Sequence, residues 1–309
     1  MLYLLIVSFV WGFSFVLIKG MLVSLDSNFV SFARLLLSLL VFLPFIRTAG
    51  IQPPDRLRLM MIGGVQFGLM YVAYVASYQY LPAHVIALMT TTTPLFVTVF
   101  NDIYRKKIHK MFFVSALLAV AGGAIIKLPD QHFLTSLYGI ALVQVSNAAF
   151  AFGQIAYKRL ANSRKLRDKD VFGFAYGGAV IVAGVFSLAT TDFYTLSIRP
   201  VQWLALMYLG LIASGLCFFL WNVGIRKVNE GMIAVMNNLK IPVGVVAGLL
   251  ILKEQTDYVR LIGGCCLIAL ALYGNKYGRR YQVSSLRSQV SGAKLKSTTC
   301  DLQPATCDH

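Results

Sequence analysis

Ten blocks of roughly 20 apolar residues recur along the chain, separated by short polar stretches. A helix of that length rises 1.5 Å per residue and crosses a hydrocarbon core of about 30 Å. The blocks fall at about residues 2–20, 27–46, 59–80, 84–104, 111–128, 134–156, 171–190, 202–224, 231–252 and 257–275. None alternates with the period of a barrel strand, and a helix satisfies its own backbone in lipid. The expected fold class is therefore an all-α membrane protein of ten transmembrane helices, with the lipid bilayer as its surroundings. Composition agrees: 58% of the chain is hydrophobic and 13% charged, against about 45–50% and 25% in soluble domains. No Lys or Arg precedes the first block and no small-residue cleavage site follows it, so a retained span is expected rather than a removable signal.

A net charge of +16 raises the question of nucleic acid. The location of the charge answers it. Of the 28 Lys and Arg residues, 21 lie in the loops after the even-numbered spans and in the tail, and 5 in the loops after the odd-numbered ones. Arg34 and Lys240 lie inside spans. This is the positive-inside distribution of a multi-pass protein with both termini cytoplasmic, and nucleic acid is not an expected partner. Residues 276–309 are polar and rich in Ser, Thr and Lys, and a disordered cytoplasmic tail is expected there. Cys300, Cys307 and His309 in that tail match no zinc spacing, so neither a metal nor a cofactor is expected.

A faint internal repeat divides the apolar part. "YVASYQYLPAHVIALM" (74–89) overlies "WNVGIRKVNEGMIAVM" (221–236) at a constant offset of 147. Pro94 and Pro242 follow, one residue out of register, and they alone among the nine prolines interrupt the middle of a span. Two five-span halves, residues 1–130 and 131–275, would insert with opposite orientation because five is odd. Inverted repeats with broken helices at matching places mark the site of a secondary transporter.

The order of these features carries a resemblance. "FVWGFSFVLIKG" in span one, "FARLLLSLLVFLPF" in span two and the junctions "YLPAHVIALM" and "VNEGMIAVM" resemble the EamA branch of the drug/metabolite transporter superfamily. The likeness covers about residues 1–275. "FLPFIRTAG", "VQVSNAAFAFGQIAYKRL", "ASGLCFFLWNVGIRKVNEG" and "MNNLKIPVG" look closest to that superfamily's bacterial biotin-transporting group, within its carboxylate/amino acid/amine transporter branch. Where this chain has Lys240, that group resembles it less, with a histidine; both side chains can be cationic. The resemblance implies alternating access and uptake of biotin across a bacterial inner membrane. Export or exchange of amino acids or related metabolites is the alternative that the wider superfamily implies.

Residue chemistry indicates where a solute would sit. Lys240 is the tenth residue of its span, about 14 Å deep, and a lysine there costs ~2.5–3.5 kcal/mol unless it faces a polar cavity. Asn237 lies one turn before it and shares its face, and Pro242 frees nearby carbonyls. In span six Gln144, Asn147 and Gln154 share a face. Span eight offers Ser214, Trp221 and Asn222, and span three an aromatic stripe of Phe67, Tyr71, Tyr74 and Tyr78 beside Gln66. Arg34 is expected to gate or to support the architecture, with an anion contact as the second reading. Pro94 and Pro242 are expected to break their helices, and the threonines before Pro94 to take up freed carbonyls. Packing and cross-helix bonding compete with every one of these readings. All twelve Asp and Glu residues sit at span ends, in loops or in the tail, so the mid-depth charge is positive. That suits a small solute carrying a carboxylate. No HExxH, GxSxG or phosphate-loop pattern occurs, so an enzyme is not expected.

Overall fold

The structure is a computed structural model, and it describes residues 2–104, 106 and 133–227, with 240, 244, 247–253, 259, 262, 263, 266, 267, 270 and 273 beyond them. Within the described residues the regular elements are helical, with no strand. In chain order the α-helices are α1 (Leu2–Leu17), α2 (Ser27–Phe42), α3 (Pro53–Gly63), α4 (Met70–Ser77), α5 (Ala83–Met89), α6 (Thr93–Tyr104), α7 (Phe133–Ser163), α8 (Asp168–Thr190), α9 (Pro200–Met207) and α10 (Cys217–Arg226). Wide π turns extend α1 (Ile18–Leu22), join α3 to α4 (Gly64–Leu69) and join α9 to α10 (Tyr208–Leu216).

Seven continuous helices are long and apolar enough to cross a membrane: Leu2–Leu22, Ser27–Phe45, Pro53–Ser77, Ala83–Tyr104, Ser136–Ser163, Asp168–Thr190 and Pro200–Arg226. They coincide with expected spans one to four and six to eight. Expected span five lies outside the described residues, and spans nine and ten are described only in fragments.

The helices are built inside out relative to a soluble bundle. On α1, Leu4, Val7, Ser8, Trp11 and Phe15 repeat at helical spacing and are buried, while Leu5, Phe9 and Phe13 on the other side are exposed. On α8, Ile181, Val185 and Leu188 are exposed as well, with Leu188 at 77%. A chain that shows large apolar side chains outward and buries Ser31, Arg34, Gln66, Asn147, Ser214 and Asn222 is suited to lipid as its solvent.

Small residues set the closest approaches. A Cβ at Gly178 on α8 would collide with the Met60 backbone of α3, and one at Gly63 on α3 with the Ala175 backbone of α8. Close packing of this kind replaces the hydrophobic effect, which supplies no force between helices in lipid. On α2, Ser31 and Ser38 play the same part with hydroxyls. Ser31 Oγ donates to the Tyr71 carbonyl (3.1 Å) and Ser38 Oγ to that of Gly210 (2.8 Å).

Ion pairs gather at one end of the bundle. Asp55, at the start of α3, meets Arg58 at 3.0 Å and Arg164, past α7, at 3.1 Å. Asp170 pairs with Arg47 and Arg167, and Asp168 accepts from Arg226 Nη1 at 2.5 Å and from the Tyr157 hydroxyl at 2.7 Å. At the opposite end Asp26 caps α2, accepting from Phe29 N (2.8 Å) and from Thr191 Oγ1 (2.6 Å).

Candidate functional site

The fourth span is helical throughout, but its α winding is interrupted one turn before Pro94. α5 stops at Met89, residues Thr90–Thr92 wind as a 3₁₀ turn, and α6 restarts at Thr93. Pro94 has no N–H to offer the Thr90 carbonyl, and the backbone N–H and hydroxyl of Thr93 take that carbonyl instead, the hydroxyl at 2.9 Å. The hydroxyls of Thr90 and Thr92 donate to the carbonyls of Ala87 (2.8 Å) and Met89 (3.0 Å). Asn147 on α7 completes the repair. Its Nδ2 donates to the Met89 carbonyl (3.0 Å) and to Thr92 Oγ1 (2.9 Å), and its Oδ1 lies 3.1 Å from Thr93 Oγ1. Gln144 Oε1, at 2.7 Å from Thr92 Oγ1, shares that hydroxyl's proton with the Met89 carbonyl.

A cavity of ≈ 60 Å³ opens beside this turn. Thr90, Thr93, Ser146 and Asn147 form its polar side. The rest of the lining is largely aromatic: Trp11 and Phe15 from α1, Tyr71 and Tyr74 from α4, Phe150 from α7 and Phe218 from α10. Trp11 anchors that part. Its Nε1 donates to the Ala213 carbonyl (2.9 Å), and its ring centre lies 4.7 Å from that of Phe218 and 5.1 Å from that of Trp221.

Two cations enter the cavity, Arg34 and Lys240. The Lys240 ammonium lies 5.1 Å from the centre of the Trp11 ring, a cation–π distance. The Arg34 guanidinium lies 4.5 Å from the Tyr71 ring centre. Its Nη2 donates to the Tyr71 hydroxyl (2.9 Å) and to Ser214 Oγ (3.1 Å). Among the described residues no Asp or Glu lines the cavity.

Of the residues singled out in the sequence, Lys240, Asn147, Tyr71, Tyr74 and Arg34 meet in this one cavity. Gln144 and Trp221 stand behind it. Gln144 supports the 3₁₀ turn, and Trp221, fully buried, backs Trp11 and donates to Gln154 Oε1 at 3.3 Å. Pro94 lies just past the 3₁₀ turn, while Asn237 and Pro242 lie outside the described residues. The aromatic stripe divides. Tyr71 and Tyr74 line the cavity, Phe67 stacks on Tyr176 at 5.2 Å, and Tyr78 bonds the Tyr74 hydroxyl at 2.7 Å. Trp11 is one of the lining residues that sequence reasoning passed over, with Ser14, Phe15, Met70, Ser146, Phe150 and Phe218. The signal for Trp11 was present: an indole placed among Ser8, Gly12 and Ser14 on an otherwise greasy helix.

A membrane helix whose α winding is interrupted beside a mid-bundle cavity belongs to solute carriers, and sequence comparison agrees. The sequence pattern of the EamA-like transporter family matches residues 1–128 and 137–274. The chain belongs to that family: it is a multi-pass membrane transporter, not an enzyme. It is 39% identical to the probable biotin transporter of Pseudomonas aeruginosa over 283 residues, covering 91% of this chain and 99% of that one. It is 35% identical to the biotin transporters of Salmonella typhimurium and Escherichia coli over 274 residues, covering 87% of this chain and 91% of theirs. A solved crystal structure shares the fold with a TM-score of 0.61 at 15% identity, covering 88% of this chain and 95% of that one.

Proposed function

We propose that this transporter takes up biotin across a bacterial inner membrane, binding its carboxylate between Arg34 and Lys240 in the cavity beside the irregular turn of the fourth span. The observation that carries the reading is a mid-bundle cavity with two cations and no carboxylate lining among the described residues. Biotin supplies what the lining is short of. Its carboxylate answers the cations, and its thioether ring and alkyl chain suit Trp11, Phe150 and Phe218. The Ser14 and Thr93 hydroxyls donate their protons to Val10 and Thr90 carbonyls, which leaves oxygen lone pairs for ureido N–H groups. The relatives at 35–39% identity, a probable biotin transporter and biotin transporters, support the same substrate.

Transport then requires the cavity to open to either side in turn. The supporting pattern is an inverted pair of five-span halves, residues 1–130 and 131–275, with both termini and the tail 276–309 in the cytoplasm. The offset of 147 lays the π turn Gly64–Leu69 onto residues 211–216, inside the π turn Tyr208–Leu216. Irregular turns at matching places are where a rocking half can bend at least cost. Trp221 and Gln154 supply a partition on one side. Trp221 packs on Trp11 of the cavity, while Gln154 lines a second hollow of ≈ 710 Å³ with Lys158 and Arg159. Asn237 would lie one helical turn from Lys240 and extend the same polar face, and Pro242 would interrupt the winding of span nine as Pro94 does that of span four.

Growth of a strain without its own biotin importer on trace biotin, together with uptake of labelled biotin, tests this reading. Wild type restores both, and Lys240→Ala reduces uptake with membrane abundance unchanged. Failure of wild type to accumulate biotin, with an amino acid appearing outside the cell, would establish the export alternative.

A further inference from the structure

Arg34 is 2% exposed and has five N–H bonds to place. Nη2 uses its two on Tyr71 and Ser214. The proton inventory of those partners is closed. Ser214 Oγ donates to the Leu209 carbonyl at 2.6 Å, a reach of five residues that the π turn makes possible. Tyr71 must therefore be the donor in its 2.8 Å contact with Ser214. Both oxygens accept from Arg34, and the guanidinium is held from one side only. Its Nε and Nη1, both shielded from solvent, have no acceptor among the described residues.

Leaving a buried charge short of acceptors is strongly destabilising, and Arg34 borders the cavity that contains no acid among its described lining. We propose that Arg34 is the donor that takes the carboxylate of the transported solute, and that Tyr71 and Ser214 are positioning residues that aim its remaining N–H bonds. This rests on the cavity being the solute site. Lys240, over the Trp11 face, contributes charge to the same cavity, but Arg34 supplies planar, directed donors that match a carboxylate.

The test is binding to purified protein in detergent, read by tryptophan fluorescence, with biotin, its uncharged amide and valerate as probes. Wild type is expected to prefer biotin over the amide by about 10- to 100-fold, the worth of a charged hydrogen bond. Arg34→Gln erases that preference, and Arg34→Lys keeps it at lower affinity. Full retention of the preference in Arg34→Gln, with its loss in Lys240→Ala, overturns the proposal. Should Arg34→Gln fail to reach the membrane, Ser214→Ala and Arg34→Lys decide. Both must weaken the acid and leave the amide unchanged, and equal weakening of acid and amide overturns it. Wild type that binds valerate through Arg34 but ignores biotin removes the biotin reading and leaves the anchor standing. Wild type that binds neither acid removes the anchor.

Discussion

Lys240 sets its ammonium 5.1 Å from the centre of the Trp11 ring, so the cation deep in the second half of the chain rests on an aromatic face from the first helix. A desolvated cation–π contact is worth about 2 kcal/mol, and an exposed one about 0.5–1. Trp11→Phe keeps a ring and should raise the KM of biotin uptake several-fold. Trp11→Leu also loses the bond from Nε1 to the Ala213 carbonyl and should raise it by a further step. Uptake kinetics normalised to membrane abundance check the order; equal KM in Trp11→Leu and wild type would remove the contact from the binding site.

Asn147 ties the fourth span to α7 through two hydrogen bonds from its Nδ2 and a polar contact at its Oδ1. Asn147→Ala removes the bonds to the Met89 carbonyl and to Thr92 Oγ1 and should cost about 1–3 kcal/mol. The expected result is a lower melting temperature in detergent and impaired uptake. Gln144→Ala, which removes a partly buried support of the same turn, should cost less. The reverse ranking in a thermal unfolding series would show that the turn is held from elsewhere.

Neighbouring glycines on α8 should respond oppositely to the same change. A Cβ at Gly178 meets the Met60 backbone, whereas one at Gly177 meets nothing within 4 Å. Gly178→Ala is expected to separate α3 from α8 and to remove most protein from the membrane. Gly177→Ala should be tolerated, with a gain of about 0.5–1 kcal/mol from helix propensity. Fluorescence-detected size exclusion of tagged variants measures both.

Arg226 ties the end of α10 to the start of α8 through Asp168, with both side chains under one-fifth exposed. Its Nε also donates to Asn162 at 2.8 Å. A double-mutant cycle of Arg226→Met and Asp168→Asn should return a coupling of about 1.5–3 kcal/mol. The coupling should change little with added salt, since a partly buried pair is screened less than an exposed one. A coupling near zero would make this contact an incidental one.

The ends of the spans differ from the sequence reading for a physical reason. Span three begins at Pro53 rather than near 59, and span six runs to Ser163 rather than to about 156. An apolar block marks where the hydrocarbon lies, while a helix continues into water as long as its backbone bonds and caps allow. Pro53 and Pro54 suit the first turn of α3, so the polar residues Asp55, Arg56 and Arg58 are helical too. The aromatic stripe shows a second cause. Counting 3.6 residues per turn puts Phe67 beside Tyr71, and both pack on Phe218, but one turn along the helix separates them: Tyr71 lines the cavity, while Phe67 stacks on Tyr176.

Membrane class, the places of seven helices and an irregular turn near Pro94 follow from the sequence alone. Apolar length and the missing proline N–H are local properties, and no distant residue alters them. The partners of the buried cations required the tertiary structure. Arg34 reaches Tyr71 across 37 residues of chain and Ser214 across 180, and Lys240 reaches Trp11 from the far half of the protein. Such pairs depend on which helix faces lie against one another. In lipid that choice is made by close backbone approach, as at Gly63 and Gly178, and by polar groups that must find acceptors inside the bundle.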